Sequence, residues 1–416
     1  MASHQRALVQ RLLSLLVRLS RASLITAASS ACAVLELWAF SSKLPVHELG
    51  IVLAAQGAAA LLAGVGEAGL SLWATQRLAH CATPARLTAL SRYAMAVRLP
   101  LFAVQAVLVA VAARYTLIGW NHFGLTLLMS ASMTFSFGWV FIATERYLLI
   151  ALTEGATRIA GLSAFLLIPS NSADAALFWL AASGAAQSLV QLFAARQLGL
   201  LRAISAPKLR RLRLHTRHFA AYRSALAQAV GRNILPVAVG ALVTPSIASA
   251  ALAAEKVSRA ATGIVSAVLG YVLPALGRGF RERPVTQIYG LNLLITLIVG
   301  GVTAAALMVY VRASHASLAQ LFSGSTMLLV VAALLTGARV VFSATLYMRV
   351  LAPGKFALAS HLLALQTVGA ICASLLLRST SSVVLFLLTL CALDLTLTAA
   401  ASRIGRRDSG HHQKRI

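Results

Sequence analysis

The chain has 416 residues, of which 59% are hydrophobic and only 11% are charged. Soluble domains are about 45–50% apolar and about a quarter charged, so this chain lacks the polar surface that a soluble protein needs. The same apolar excess excludes a disordered chain. Four cysteines without a C-x-x-C pair exclude a disulfide scaffold and a cysteine zinc site. The composition therefore indicates an all-α polytopic membrane protein.

The charge balance is strongly basic, with 36 Lys and Arg against 10 Asp and Glu and a formal net charge of +26. In a soluble protein this surplus would suggest a nucleic-acid partner. Here most cations lie in short gaps between long apolar segments, so we interpret them as signals of membrane topology. We expect no nucleic-acid partner.

Twelve segments are long and apolar enough to span a bilayer, which takes about 20 predominantly apolar residues. Several gaps between them hold fewer than ten residues, so consecutive helices are expected to be antiparallel neighbours. The twelve segments are 22–41, 49–72, 95–113, 122–142, 150–168, 174–195, 220–243, 247–274, 286–311, 324–348, 356–377 and 382–401.

The distribution of Lys and Arg over the gaps predicts the orientation, because short cytoplasmic loops carry most of the cations. With a cytoplasmic N-terminus, the inside stretches hold 25 cations and the outside gaps hold only four, Lys43, Arg114, Arg312 and Arg378. Both termini are therefore predicted to be cytoplasmic.

The chain divides into two halves of six predicted helices each, a pattern found in many transporters. Pro45 and Pro245 open the second and eighth segments, about two hundred residues apart. The predicted parts are a basic amphipathic cytoplasmic segment, two six-helix lobes, a basic linker and a basic tail. Their bounds are 1–21, 22–195, 196–219, 220–401 and 402–416.

The sequence contains no recognisable catalytic motif. The sequence has no G-x-x-x-x-G-K-[ST] phosphate loop, and the histidines lack metal-ligand spacing. The Gly-rich stretch 64–69 lies in a predicted span, where small residues favour close helix packing. We therefore expect neither an enzyme nor a cofactor nor a metal site.

Charged residues inside the apolar segments are the most informative feature, since each costs about 2.5–3.5 kcal/mol at the centre of a spanning helix. Arg98 and Arg223 lie near predicted cytoplasmic ends, where their side chains can reach the interface. Two acid–base pairs have the spacing i,i+4 and can neutralise themselves within one helix. They are Glu154 with Arg158 and Glu255 with Arg259.

Three further cations, Arg232, Lys256 and Arg339, have no acid four residues away, although Glu255 adjoins Lys256. In one interpretation, Asp394 or Glu36 pairs with one of them through space. In the other, a water-filled cavity is left cationic and attracts an anion, for which phosphate suits the guanidinium group best.

Short motifs in the first spans resemble the start of Wzx-type oligosaccharide flippases. They are Leu44-Pro45-Val46-His47-Glu48-Leu49-Gly50 and Gly66-Glu67-Ala68-Gly69-Leu70, with a basic loop opened by Arg77. The turn 143–147 and the stretch 242–278 are also similar to parts of that family. Leu49 stands where the family has an aromatic residue, and Glu67 stands where it has Asp.

This resemblance implies a fold of about twelve transmembrane helices in two six-helix lobes around a central cavity, within the MOP superfamily. It implies alternating access that moves an undecaprenyl-diphosphate-linked oligosaccharide across the bacterial inner membrane for O-antigen or exopolysaccharide synthesis. The diphosphate would be held by the cavity cations, which are Arg232, Arg339, Lys256 and Arg259. Expected partners are membrane lipids, a polysaccharide polymerase and its chain-length machinery.

Three acids, Asp394, Glu67 and Glu255, are candidates for coupling to a proton or sodium ion, or for pairing with arginines. Other functions remain open at this stage. An antiporter of the same superfamily would favour an acidic cavity for cationic drugs. A membrane polymerase would carry a large periplasmic loop, and a scaffold subunit would need no mid-membrane cations.

The predicted topology is testable with alkaline phosphatase, which is active only outside the cytoplasm. A fusion after Ile416 is expected to be inactive, whereas a fusion after Arg114, in an outside gap, is expected to be active. Phosphatase activity from the C-terminal fusion would contradict the assigned orientation.

Overall fold

A computed structural model describes Leu70, Ala74 and residues 32–67, 83–116, 118–144, 146–201, 216–260, 326–346 and 356–412. Within these residues the secondary structure is helical and contains no strand. The α-helices are α1 (32–43), α2 (Val46–Glu67), α3 (Pro84–Tyr115), α4 (Phe123–Thr134), α5 (Gly138–Ala143), α6 (Tyr147–Leu167), α7 (Ala173–Gln197), α8 (Thr216–Leu242), α9 (245–260), α10 (Thr326–Leu346), α11 (Phe356–Thr380) and α12 (Val383–His412).

The described helices match the predicted spans closely. Eleven of the twelve segments overlap a described helix, and segment 286–311 lies outside the described residues. Within the described ranges, seven stretches of helix are long and apolar enough to cross a membrane, and two shorter apolar ones lie in α8 and α10. The segment 1–21 and most of the linker 196–219 also lie outside the described residues.

The fourth span differs from its prediction, because it is broken at residues 135–137 between α4 and α5. Side chains from neighbouring helices bind the polar groups at the break. Gln191 Oε1 accepts hydrogen bonds from Ser136 Oγ at 2.8 Å and from the Phe137 amide at 3.0 Å. Irregular backbone is tolerated at membrane depth only when it is buried in protein in this way.

Arg98 differs from its expectation of a side chain extended towards solvent, since its side chain is buried among the helices. The helix α3 begins at Pro84, where Thr83 Oγ1 accepts from the Arg86 amide as an N-cap. At 1.5 Å per residue, Arg98 therefore lies roughly 20 Å along the helix. Its side chain is only 1% exposed, and Nη1 donates to the Ser136 carbonyl at 3.4 Å.

The last helix also extends beyond its predicted span. The segment 382–401 continues as helix to His412, so residues 402–412, expected as a tail, prolong α12.

Three glycines on α2 let the N-terminal half (α1–α7) contact the C-terminal half (α8–α12) closely. Gly50, Gly57 and Gly64 are seven residues apart, so they share one face of the helix. An added Cβ would lie 2.1 Å from Pro236 Cβ at Gly57 and 2.1 Å from Ala229 Cβ at Gly64. The expectation that Gly64 serves helix packing is thereby confirmed.

Replacing Gly57 by Ala should destabilise the protein, although alanine is the better helix former. The clash with Pro236 is expected to cost about 1–3 kcal/mol. Gly155→Ala is the matched control, because nothing lies within 4 Å of its added Cβ. In a detergent-solution melting assay, Gly57→Ala should lower Tm while Gly155→Ala leaves it unchanged or raises it. Equal Tm values would refute the close interface.

Candidate functional site

A cavity of about 320 Å³ lies between the two halves of the described structure. The N-terminal half contributes α1, α2 and α6 to its walls, and the C-terminal half contributes α8 and α9. The lining residues are Ala33, Leu53, Gln56, Gly57, Ala60, Arg158, Asn233, Pro236, Leu252, Glu255, Lys256, Arg259 and Ala260.

The charges that line this cavity are mainly positive. Arg158, Lys256 and Arg259 are cations, and Glu255 is the acid among the described lining residues. The side chains of Arg158 and Arg259 are 28% and 30% exposed, so both can be reached from the cavity. Cations therefore outnumber acids among the lining residues that the structure describes.

Glu36 on α1 neutralises part of this positive charge from behind the cavity wall. Its Oε2 atom lies 3.3 Å from Lys256 Nζ, and its Oε1 atom lies 3.7 Å from Arg158 Nη1. Gln56 on α2 bridges the pair, because its Nε2 donates to Glu36 at 3.3 Å and its Oε1 accepts from Lys256 at 2.6 Å. Four helices thus meet at one buried carboxylate.

A second polar network connects helices of the C-terminal half. Glu255 accepts from Arg259 Nε on its own helix and from Arg339 Nη1 on α10 at 2.9 Å. Arg339 Nε lies 3.4 Å from Asp394 Oδ2 on α12, and Gln366 Nε2 donates to Asp394 Oδ1 at 2.8 Å. The two acids and two arginines balance one another.

The sequence-predicted cations therefore occupy different positions. Lys256 and Arg259 line the cavity, whereas Arg339 lies between two acids and is not among the lining residues. Of the two interpretations of these cations, the structure fits the one in which Glu36 or Asp394 pairs through space, since Glu36 pairs with Lys256 and Asp394 with Arg339. Arg232 lies on α8, and its side chain is outside the described residues.

Arg158 is a cavity residue that the sequence reasoning did not single out. Its spacing to Glu154 suggested a self-neutralising pair on one helix, but its ion pair is formed with Glu36 on α1. The spacing i,i+4 reports proximity along one helix and carries no information about other helices. No feature of the sequence alone identifies Arg158 as facing the cavity.

The remaining predicted acids lie in different surroundings. Glu255 and Asp394 belong to the C-terminal network, while Glu67 ends α2 away from the cavity lining. Among the described residues, no group of three His, Cys, Asp or Glu side chains is arranged to hold a metal ion. A proton or sodium role for these acids stays a prediction.

Comparisons with known proteins identify the fold. No family model and no curated protein sequence matches the chain. An inward-facing multidrug resistance MATE family transporter of the MOP superfamily matches with a TM-score of 0.64, 14% identity and coverage of 92% of this chain and 96% of that one. An outward-facing structure of a multidrug resistance MATE family transporter of the MOP superfamily matches with a TM-score of 0.62 and 13% identity, covering 95% of this chain and 96% of that one. A eukaryotic MATE transporter matches with a TM-score of 0.54 and 12% identity, covering 95% of this chain and 99% of that one.

These likenesses show that the chain has the fold of MATE transporters of the MOP superfamily and is a multi-pass membrane protein. The predicted fold class, an all-α polytopic membrane protein with about twelve transmembrane helices in two lobes, is confirmed. Identities of 12–14% are evidence for the fold alone, so the function has to be inferred from the chemistry of the cavity.

Arg339 should matter for stability, because its removal leaves Asp394 buried with a carboxylate charge that Gln366 alone contacts. Breaking a buried ion pair costs about 3–5 kcal/mol. Arg339→Ala is therefore expected to lower Tm strongly, whereas Arg378→Ala, at the exposed end of α11, should not. The double variant Arg339→Met with Asp394→Leu should recover part of the lost Tm. Equal Tm values for Arg339→Ala and Arg378→Ala would contradict this role of Arg339.

Proposed function

We propose that the chain is a membrane transporter that flips a lipid-linked oligosaccharide, with the diphosphate of the lipid held in the cavity between the two halves. The observation that carries this proposal is the excess of cations over acids among the lining residues. A cation-lined cavity at the interface of two transporter halves is suited to an anionic substrate.

The cations offer the donor geometry that a diphosphate needs. A guanidinium group can bind two phosphate oxygens at once, and Lys256 adds a compact point charge beside Arg259. Arg259 donates through Nε to Glu255 and through Nη1 to Asn233 at 2.8 Å, but Nη2 has no partner among the described residues. The two N–H groups of Arg259 Nη2 are therefore unpaired in the described part of the chain.

The volume of the cavity fits a head group better than a whole oligosaccharide. Sites that hold a drug-sized ligand span about 300–1,000 Å³, so 320 Å³ accommodates a diphosphate with its first sugar. Further sugars need the larger opening that forms when the two halves rock apart, while the lipid tail stays in the bilayer. The basic loops predicted for the cytoplasmic face would concentrate this anionic donor at the bacterial inner membrane.

An antiporter for small molecules is the second candidate, because two matching structures are described as multidrug resistance transporters. Cationic drugs would meet Arg158, Lys256 and Arg259 in this cavity, and like charges repel. The sign of the cavity charge therefore favours the flippase over the antiporter.

The proposal is tested with purified protein in proteoliposomes that contain an undecaprenyl-diphosphate-linked oligosaccharide. Wild-type protein should move the glycan to the opposite leaflet, where a glycosidase can cleave it. Arg158→Ala and Lys256→Ala should each slow this movement roughly tenfold or more, because a charge-assisted hydrogen bond contributes about 1.5–3 kcal/mol. Arg114→Ala is the matched control, since Arg114 is exposed near the end of α3.

Two results would contradict the proposal. One is the absence of any glycan movement by wild-type protein that is well folded and inserted. The other is uptake of a cationic dye such as ethidium that depends on an ion gradient, which would favour the antiporter.

A further inference from the structure

The ion pair between Glu36 and Lys256 connects the two halves of the molecule. Glu36 lies on α1 with its partners Gln56 and Arg158 on α2 and α6, and all three belong to the N-terminal half. Lys256 lies on α9 of the C-terminal half, and its Nζ atom contacts Glu36 and Gln56 at 3.3 and 2.6 Å. The ring of Phe40 lies under the same ammonium group, 5.9 Å from Nζ to the ring centroid.

Alternating access requires the two halves to separate on one side of the cavity and then on the other. Contacts that cross between the halves on the opening side break during this motion. Because Lys256 is held by residues of the opposite half, separation pulls its ammonium group away from Glu36. Lys256 would then lose the carboxylate charge while it lines a cavity inside the membrane, whereas Arg158 keeps its pair with Glu36 in the N-terminal half.

Leaving Lys256 without a counter-charge is costly, because the membrane interior solvates ions poorly. A diphosphate that enters the cavity can supply the missing negative charge. Glu36 is not among the lining residues, and its side chain is only 8% exposed. The carboxylate therefore contacts the cations from behind, and an anion can approach them from the cavity.

We propose that Glu36 is an internal counter-ion that neutralises Lys256 and Arg158 when no substrate is bound, and that the substrate diphosphate takes over this role for Lys256 as the halves separate. This inference rests on the proposed function and deepens it. Glu36 is a positioning residue in this account. It competes with the substrate for the cavity cations, and so it links anion binding to the opening of the interface.

Gln56 gives this exchange its geometry. Its amide donates to Glu36 and accepts from Lys256, so one side chain holds both members of the pair. An amide can keep either bond when the other is lost, because its oxygen and nitrogen act independently. Gln56 can therefore remain bonded to Glu36 after Lys256 has turned to the substrate.

The test compares wild-type protein with Glu36→Gln, using undecaprenyl diphosphate without sugars as the probe. Glutamine keeps the size of Glu36 and, through its oxygen, can still accept from Gln56 and Lys256, but it removes the competing charge. Glu36→Gln should bind the probe at least about fivefold more tightly, in the range of ordinary coupling between sites. Flipping of the complete lipid-linked oligosaccharide by the same variant should be slower, because the substrate is released less readily.

A purely structural role for Glu36 would weaken binding, so the sign of the change separates the two explanations. Glu48→Gln is the matched control, since Glu48 Oε2 accepts from the Ala173 amide within the N-terminal half, where a glutamine oxygen can still accept. Its affinity for the probe should equal that of wild type. If Glu36→Gln does not fold, Glu36→Asp withdraws the carboxylate by one methylene and should still bind more tightly than wild type.

The outcomes separate this inference from the proposed function. The counter-ion role is overturned if wild type binds the probe and Glu36→Gln binds it equally or more weakly. The same holds for Glu36→Asp where Glu36→Gln does not fold, and in either case the flippase function is left intact. Failure of wild type and variant alike to bind the probe overturns the proposed function and this inference with it. Tighter binding by the variant, with Lys256→Gln binding more weakly than wild type, supports both.

Discussion

The constraint on which this structure depends is the cost of charge inside a membrane. Five cations of the described helices have an acid or a carbonyl within reach, and most of these partners come from another part of the chain than their own helix; they are Arg98, Arg158, Lys256, Arg259 and Arg339. Such bonds need helices at fixed positions, so charge neutralisation and helix packing determine one another. The same constraint makes the cavity distinctive, because its lining cations outnumber its lining acids.

Two kinds of contact join the halves, and they have different consequences. The glycine face of α2 brings backbones together through van der Waals packing, which changes little as surfaces slide. The contact between Glu36 and Lys256 is electrostatic, so another anion can replace Glu36 as the partner of Lys256. Packing therefore defines where the halves meet, while the ion pair lets a substrate influence whether they stay together.

Periodicity and hydropathy predict most of the fold, because the bilayer imposes the length of each span. They do not predict the break at residues 135–137, which depends on Gln191 and Arg98 from helices distant in the sequence. The cavity residues, too, are only partly predictable from the sequence. Lys256 and Arg259 stand out as charges in apolar segments, but the pairing of Arg158 with Glu36 spans 122 positions and follows only from the packed structure. Spacing rules describe one helix at a time, and this site is built from five.

The central claim is that Arg158, Lys256 and Arg259 hold the diphosphate of a polyisoprenoid lipid. An electron cryomicroscopy structure of the protein with undecaprenyl diphosphate bound tests this most directly. The account predicts phosphate density in the cavity within hydrogen-bond distance of Arg259 and Lys256, with Lys256 withdrawn from Glu36. A head group bound on the outer surface of the helices, with the Glu36–Lys256 pair unchanged, would contradict it.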